Sequence, residues 1–153
     1  MRLYLVQHGE AAAKDVDPER PLTSQGAKDV ATLADFLHRA GVRVDRVIHS
    51  GKLRAQQTAE LLAKAIGRGV PVEISDRINP NDDPAAIDWQ HEGAGQDLLV
   101  VGHLPYIARL AALLVTKEPD AAVIACRPGS MVCLEHDGTG WSINWMLRPE
   151  LLA

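Results

Sequence analysis

Hydrophobic positions in this chain follow two rhythms: short unbroken apolar runs, and longer stretches in which apolar residues return at helical spacing. Leu3 to Val6 is the first run and predicts a strand. A polar loop over 9–22 ends in Arg20-Pro21-Leu22 and leads to Thr23, a good N-cap. Behind it Ala27, Val30, Leu33, Ala34 and Leu37 recur at the spacing of one helix face, and Gly41 ends that helix. Arg46 to His49 predicts a second strand, and Leu53 to Ile66 a second helix closed by Gly67. Val70 to Ile74 predicts a third strand; Asp83-Pro84 then reads as an N-cap followed by proline at the first helical position, opening a short helix toward His91. Leu98 to Val101 is the fourth strand, and Pro105 opens a helix from Leu104 to Val115. Val123–Cys126, Met131–His136 and Ser142–Met146 predict closing strands, with Asp137-Gly138 as a hairpin signal.

Strand and helix alternate, which predicts an α/β fold, a single-domain three-layer α/β/α sandwich whose central sheet is mainly parallel. With no repeat, low-complexity tract or linker, residues 1–153 are expected to form one domain. A chain of 153 residues can bury about two-thirds of its unfolded surface. The tryptophans Trp89, Trp141 and Trp145 are expected to pack in the core or at its edge. Trp141 and Trp145 should share a strand face with Ile143, by period two.

Composition narrows the partners. Hydrophobic residues at 46% and charged residues at 24% fit a soluble globular protein. A net charge of −4 argues against a nucleic-acid track or an anionic membrane as partner, while leaving room for one local basic pocket. Aromatic residues at 4% leave little for stacking single-stranded bases. Cys126 and Cys133 lack metal-type spacing and fit two small core residues. No apolar stretch approaches the roughly eighteen residues of a membrane span, and strand sequence begins at once without the pattern of a leader. A cytoplasmic protein is expected.

Chemistry concentrates at three strand ends. The first strand runs into Gln7-His8-Gly9-Glu10, the fourth into Gly102-His103, and the second into Ser50-Gly51-Lys52-Leu53-Arg54. In an open α/β sheet the carboxyl ends of parallel strands line the ligand crevice. His, Arg and His delivered there describe a phosphate site with a candidate nucleophile. Arg54 would offer a planar guanidinium fork at the positive end of a helix, with backbone N–H groups near Ser50 and Gly51 also able to meet an anion. A histidine nucleophile must be neutral, and a nearby cation such as Arg54 lowers its pKa. His103 could donate to phosphoryl oxygens as charge shifts in the transition state. His38, His49, His91 and His136 fit structural or solvent-facing roles, with His91 and His136 in polar turns, and no pair has metal-site spacing; no metal and no cofactor is expected.

These residues carry a resemblance. His8-Gly9-Glu10-Ala11, Arg20-Pro21-Leu22-Thr23 with Gly26, Ser50 with Leu53-Arg54-Ala55-Gln57-Thr58, and Gly102-His103-Leu104-Pro105 together resemble the histidine phosphatase superfamily, of phosphoglycerate-mutase-like fold. Within it the chain is most similar to the small SixA-type phosphohistidine phosphatases, over nearly its whole length. The resemblance implies that His8 is the phosphorylated nucleophile, with Arg54 and His103 in the phosphate pocket. It further implies a partner bearing phosphohistidine, such as a phosphotransfer domain or phosphocarrier of signal transduction, and inorganic phosphate as product.

The family's first motif reads arginine-histidine-glycine, and here Gln7 takes the arginine position. Glutamine donates N–H bonds but forms no ionic clamp, a loss worth about a hundredfold in rate by analogy with single oxyanion-donor deletions. Arg20 is a candidate to restore part of that charge, and Lys52 a lesser one. Glu10 is the nearest carboxylate to the nucleophile in sequence, either as a general acid or as a loop-ordering partner of Arg20 or Arg54. Residues 75–96 hold further carboxylates in what reads as solvated loop and short helix. Phosphohistidine needs little acid help, because a protonated imidazole leaves readily. Three functions remain open: a phosphohistidine phosphatase, a general small-molecule phosphomonoesterase using the same site, and a phosphate- or phosphoprotein-binding module weakened by Gln7.

Overall fold

The computed structural model describes residues 1–152. Six strands form one sheet: β1 (Arg2–Gln7), β2 (Arg46–His49), β3 (Val72–Ile74), β4 (Leu98–Gly102), β5 (Met131–His136) and β6 (Trp141–Leu147). Their spatial order is β3-β2-β4-β1-β5-β6. The β3–β2, β2–β4 and β4–β1 ladders are parallel, and β1–β5 and β5–β6 antiparallel. Four helices accompany it: α1 (Ser24–Arg39), α2 (Leu53–Ile66), α3 (Trp89–Gly93) and α4 (Tyr106–Thr116).

The unbroken apolar runs reflect burial of the inner strands on both faces. On one face Tyr4, Val6, Val47, Leu99 and Val101 pack with Val30, Leu33 and Leu37 of α1 and Ala55, Ala59 and Leu62 of α2. On the other, Leu3, Leu5, Ile48, Leu98 and Val100 pack with Ile78, Trp89 and with Tyr106, Ile107 and Leu110 of α4. The result is the three-layer α/β/α arrangement. Thr23 caps α1, its Oγ1 accepting from the Gly26 N–H at 2.9 Å, and Gly41 leaves the helix at φ +79°. Among the described residues no helix is long and apolar enough to cross a membrane.

Several elements differ from their predicted form. The third strand covers only Val72–Ile74. Asp83 does not start a helix: its Oδ1 accepts from the Ala85 N–H at 2.9 Å in a local turn. Asp88 is the true cap, accepting from the His91 N–H at 3.1 Å. His91 therefore lies within α3, and His136 closes β5, so neither sits in a turn. Leu104 and Pro105 precede α4 instead of forming its first turn. Val123–Cys126 joins no ladder; Ile124 and Cys126 pack instead against the core on the α4 face. A β-bulge in the β5–β6 ladder sets Cys133 opposite Trp145 but Leu134 opposite Ile143. One extra residue reverses the alternation. Trp145 thus packs with Tyr4 on the α1–α2 face, ring centroids 5.8 Å apart, while Trp141 packs on the α4 face.

Candidate active site

Because β1, β4 and β2 run parallel, their carboxyl ends open on one side of the sheet, and the residues following them meet there. His8 follows β1, and its N–H donates to the Gly102 carbonyl of β4 at 3.0 Å. His103 follows β4. The two imidazoles stand with ring centroids 5.0 Å apart and planes inclined at 53°. Gly102 lies over α4, where an added Cβ would come within 3.2 Å of the Ile107 side chain.

His8 Nδ1 is 2.7 Å from the Gly9 carbonyl oxygen. A carbonyl only accepts, so Nδ1 carries the proton and Nε2 keeps an unshared lone pair. Burial pushes the pKa down to about 4, against the Gly9 bond, which raises it, and with Arg54 and Arg20, which lower it further. The ring is therefore neutral at pH 7. Gly9 is pinned in turn: its N–H donates to Thr58 Oγ1 at 3.0 Å, and the Thr58 hydroxyl donates to the Arg54 carbonyl at 2.8 Å. A Cβ on Gly9 would lie 2.8 Å from Val30 Cγ2, so α1 packs directly on the backbone beside His8.

His103 is 2% exposed, with Nε2 2.6 Å from Ser50 Oγ. Ser50 Oγ also accepts from the Lys52 N–H at 3.4 Å, and with its second lone pair and its own proton it can either accept from or donate to His103 Nε2. His103 Nδ1 is a buried atom with no protein partner, open to the crevice chemistry in the tautomer that carries its proton there. Burial pushes His103 down to about 3, with His8, Arg54, Lys52 and Arg20 adding to the effect.

Arg54 lies in the first turn of α2, with Nε buried and without a protein partner. Burial and then Arg20 hold its pKa below the ordinary arginine value. Arg20 adopts φ +50°, a conformation costly for a non-glycine residue, and its Nε donates to the Ala12 carbonyl at 3.0 Å. The sequence offered Arg20 as a candidate cation; the loop over 9–22 brings it within electrostatic reach of His8, Arg54 and His103 together. Among the described residues no carboxylate stands within ion-pair distance of Arg20, Lys52 or Arg54. Converging cations without a counter-charge favour a bound anion.

Gln7 ends β1, 9% exposed, its Oε1 buried without a protein partner. Glu10 accepts from Thr23 Oγ1 at 2.8 Å and pairs with neither Arg20 nor Arg54; it orders the loop through the α1 cap. Most carboxylates of 75–96 have local tasks. Asp82 accepts from the Asn79 N–H, Asp83 and Asp88 hold turn and cap, and Glu92 pairs with Arg46 at 3.2 Å. Two supporting residues had no separate role assigned from the sequence: Thr58, and Gln57, whose Oε1 accepts from the Leu22 N–H at 2.7 Å. The available signal was Thr58, a polar residue one turn after Arg54 on the apolar face of α2. Among the described residues no group of His, Cys, Asp and Glu is arranged to hold a metal ion.

The model of the histidine phosphatase superfamily (branch 1) matches residues 3–80. This chain belongs to that superfamily. It is a phosphatase, a hydrolase of the SixA type in extent and fold. It is 29% identical over 155 residues to the phosphohistidine phosphatase SixA of Escherichia coli, covering 97% of this chain and 94% of that one. The structure of the protein histidine phosphatase SixA complexed with tungstate superposes with a TM-score of 0.87 at 25% identity, covering the whole of both chains. A putative alpha-ribazole-5'-P phosphatase of Escherichia coli shares the fold, with a TM-score of 0.77 at 22% identity over 97% of each chain.

Proposed function

We propose that this phosphatase removes the phosphoryl group from phosphohistidine on a protein partner, through a phosphohistidine intermediate on His8. The observation that carries the proposal is a neutral His8 with Nε2 unshared, set beside cations that have no counter-charge. In the first step His8 Nε2 forms a bond to phosphorus as the P–N bond of the substrate breaks, and the leaving imidazole takes up a proton. In the second, water attacks phosphorus, the bond to His8 Nε2 breaks, and inorganic phosphate leaves. Arg54 and Arg20 bind the phosphoryl oxygens, and His103 Nδ1–H donates to them as charge accumulates. Ser50 orients His103, and Gly9 and Gly102 keep the backbone close. Gln7 supplies at most a neutral donor.

The substrate choice is supported by the leaving group. Glu10 is held by Thr23, and most carboxylates of 75–96 are held in local bonds, so strong acid assistance is not built in. A phosphoramidate tolerates that better than an alkyl phosphate. Likeness to a phosphohistidine phosphatase and to a tungstate-bound protein histidine phosphatase points the same way. Gln7 motivates one rival, a phosphoprotein-binding module with little turnover. Phosphate release from a phosphohistidine protein and from p-nitrophenyl phosphate, measured side by side, separates the readings. Preference for the phosphoprotein is expected; preference for the aryl phosphate would indicate a general phosphomonoesterase, and binding of the phosphoprotein without release would indicate the module.

A further inference from the structure

His49 is the last residue of β2, 2% exposed, on the same side of the strand as Val47 and therefore toward α1 and α2. Its Nδ1 accepts from the Gly51 N–H at 3.0 Å. Such a bond requires a bare Nδ1, so the ring is neutral with its proton on Nε2. The bond spans two residues and closes a tight turn around Gly51, whose φ of +87° a side chain would strain. An asparagine side chain makes the same local bond in an Asx turn.

The next residue depends on that turn. Ser50 Oγ accepts from the Lys52 N–H and reaches His103 Nε2 at 2.6 Å. The His49 carbonyl is itself anchored, accepting from the Ser75 N–H at 2.9 Å. One side of the turn is therefore fixed to the residue just past β3, and the imidazole of His49 fixes the other. Lys52 then caps α2, which carries Arg54. We propose that His49 is a positioning residue, holding the Gly51 N–H so that Ser50 reaches His103. The catalytic half of this inference rests on the phosphatase reading of the site; the hydrogen-bond half does not.

The test therefore has two arms. Ring nitrogen-15 spectra of the protein should show His49 protonated at Nε2 and bare at Nδ1. The His103 ring signals should move in His49→Leu and stay in place in His49→Asn, whose Oδ1 can accept from the same N–H. In turnover, His49→Leu should lower kcat roughly tenfold with KM nearly unchanged, and His49→Asn should recover to within about threefold of wild type. His49→Leu combined with Ser50→Ala should fall no further than Ser50→Ala alone, since both act through one contact. A protonated Nδ1, unmoved His103 signals in the leucine variant, multiplied losses in the double variant, or asparagine no better than leucine would each overturn the proposal. If His49→Leu does not fold, the wild-type ring signals and the asparagine variant decide. If no substrate turns over in the wild type, the spectra still decide on His49, and the functional reading fails on its own.

Discussion

His8 Nδ1 lies 2.7 Å from the carbonyl oxygen of Gly9, its neighbour in the chain. That contact fixes the proton on one nitrogen and leaves the other free at the crevice. With burial holding the pKa near 4, the nucleophile is lost only as pH falls through about 4. The acid limb of phosphoryl transfer to His8, followed by rapid quench, is expected near 4; a limb near 6.5 would mean a solvated, unperturbed ring. His8→Ala should carry no acid-labile label and lose about a thousandfold or more in rate.

Gln7→Arg should raise kcat/KM, by as much as about a hundredfold if the guanidinium reaches the transferring group. The gain should be largest for substrates with poor leaving groups. Flat or lower rates would mean that Arg20 already occupies that corner. Absent turnover in both proteins, with tighter phosphate binding in the variant, would favour a binding module.

Arg54→Gln should weaken inorganic phosphate by about ten- to a hundredfold, the worth of roughly 1.5–3 kcal/mol for a charge-assisted bond. Calorimetric titration reads this directly. Unchanged affinity would remove Arg54 from the anion site. The same substitution relieves repulsion with Arg20, so the ligand-free protein should not lose stability.

Folded His8 and His103 bind protons less readily than the unfolded chain, whose histidines titrate near 6.5. The unfolded state therefore takes up more protons as pH falls below 6.5, and stability drops. It is fully present above that pH. Denaturant unfolding should lose about 2 kcal/mol for each of the two histidines, on the order of 4 kcal/mol together, between pH 7 and 5, before most carboxylates protonate. His103→Asn should flatten the slope; an unchanged slope in that variant would assign the dependence elsewhere.

Gly26→Ala should destabilise by about 1–3 kcal/mol, since the new Cβ would press into the backbone of Glu10. Glu10 follows the His8-Gly9 pair, so turnover should fall along with the melting temperature. A variant with wild-type melting would show that α1 can shift away from the loop.

Local signals in the sequence determined much of this. Arg46–His49 and Leu53–Ile66 match β2 and α2 to the residue, and Met131–His136 matches β5. Apolar period, the Gly67 stop and the Asp137-Gly138 turn act within a few residues, where short-range sterics and burial agree. The strand-end placement of His8, Arg54 and His103 was legible for the same reason: a parallel sheet puts all such ends on one side. What depends on distant partners was not. Asp83-Pro84 carries a helix-start pattern, yet the chain keeps turning until Asp88, where Trp89 can enter the core. Val123–Cys126 has the composition of a strand but joins no ladder, and Ile124 and Cys126 pack on the α4-face core instead. One inserted residue in β6 sends Trp145 and Trp141 to opposite faces, because side-chain direction has period two and register is decided by the partner strand. Glu10 takes Thr23 instead of an arginine, and His49 fastens the turn that aims Ser50 at His103. Residue types at strand ends pointed to the phosphate site proposed for this chain. The folded backbone decided protonation at His8 through the adjacent Gly9 carbonyl, and contacts between distant segments, Ser50 with His103 and Glu10 with Thr23, decided orientation and support.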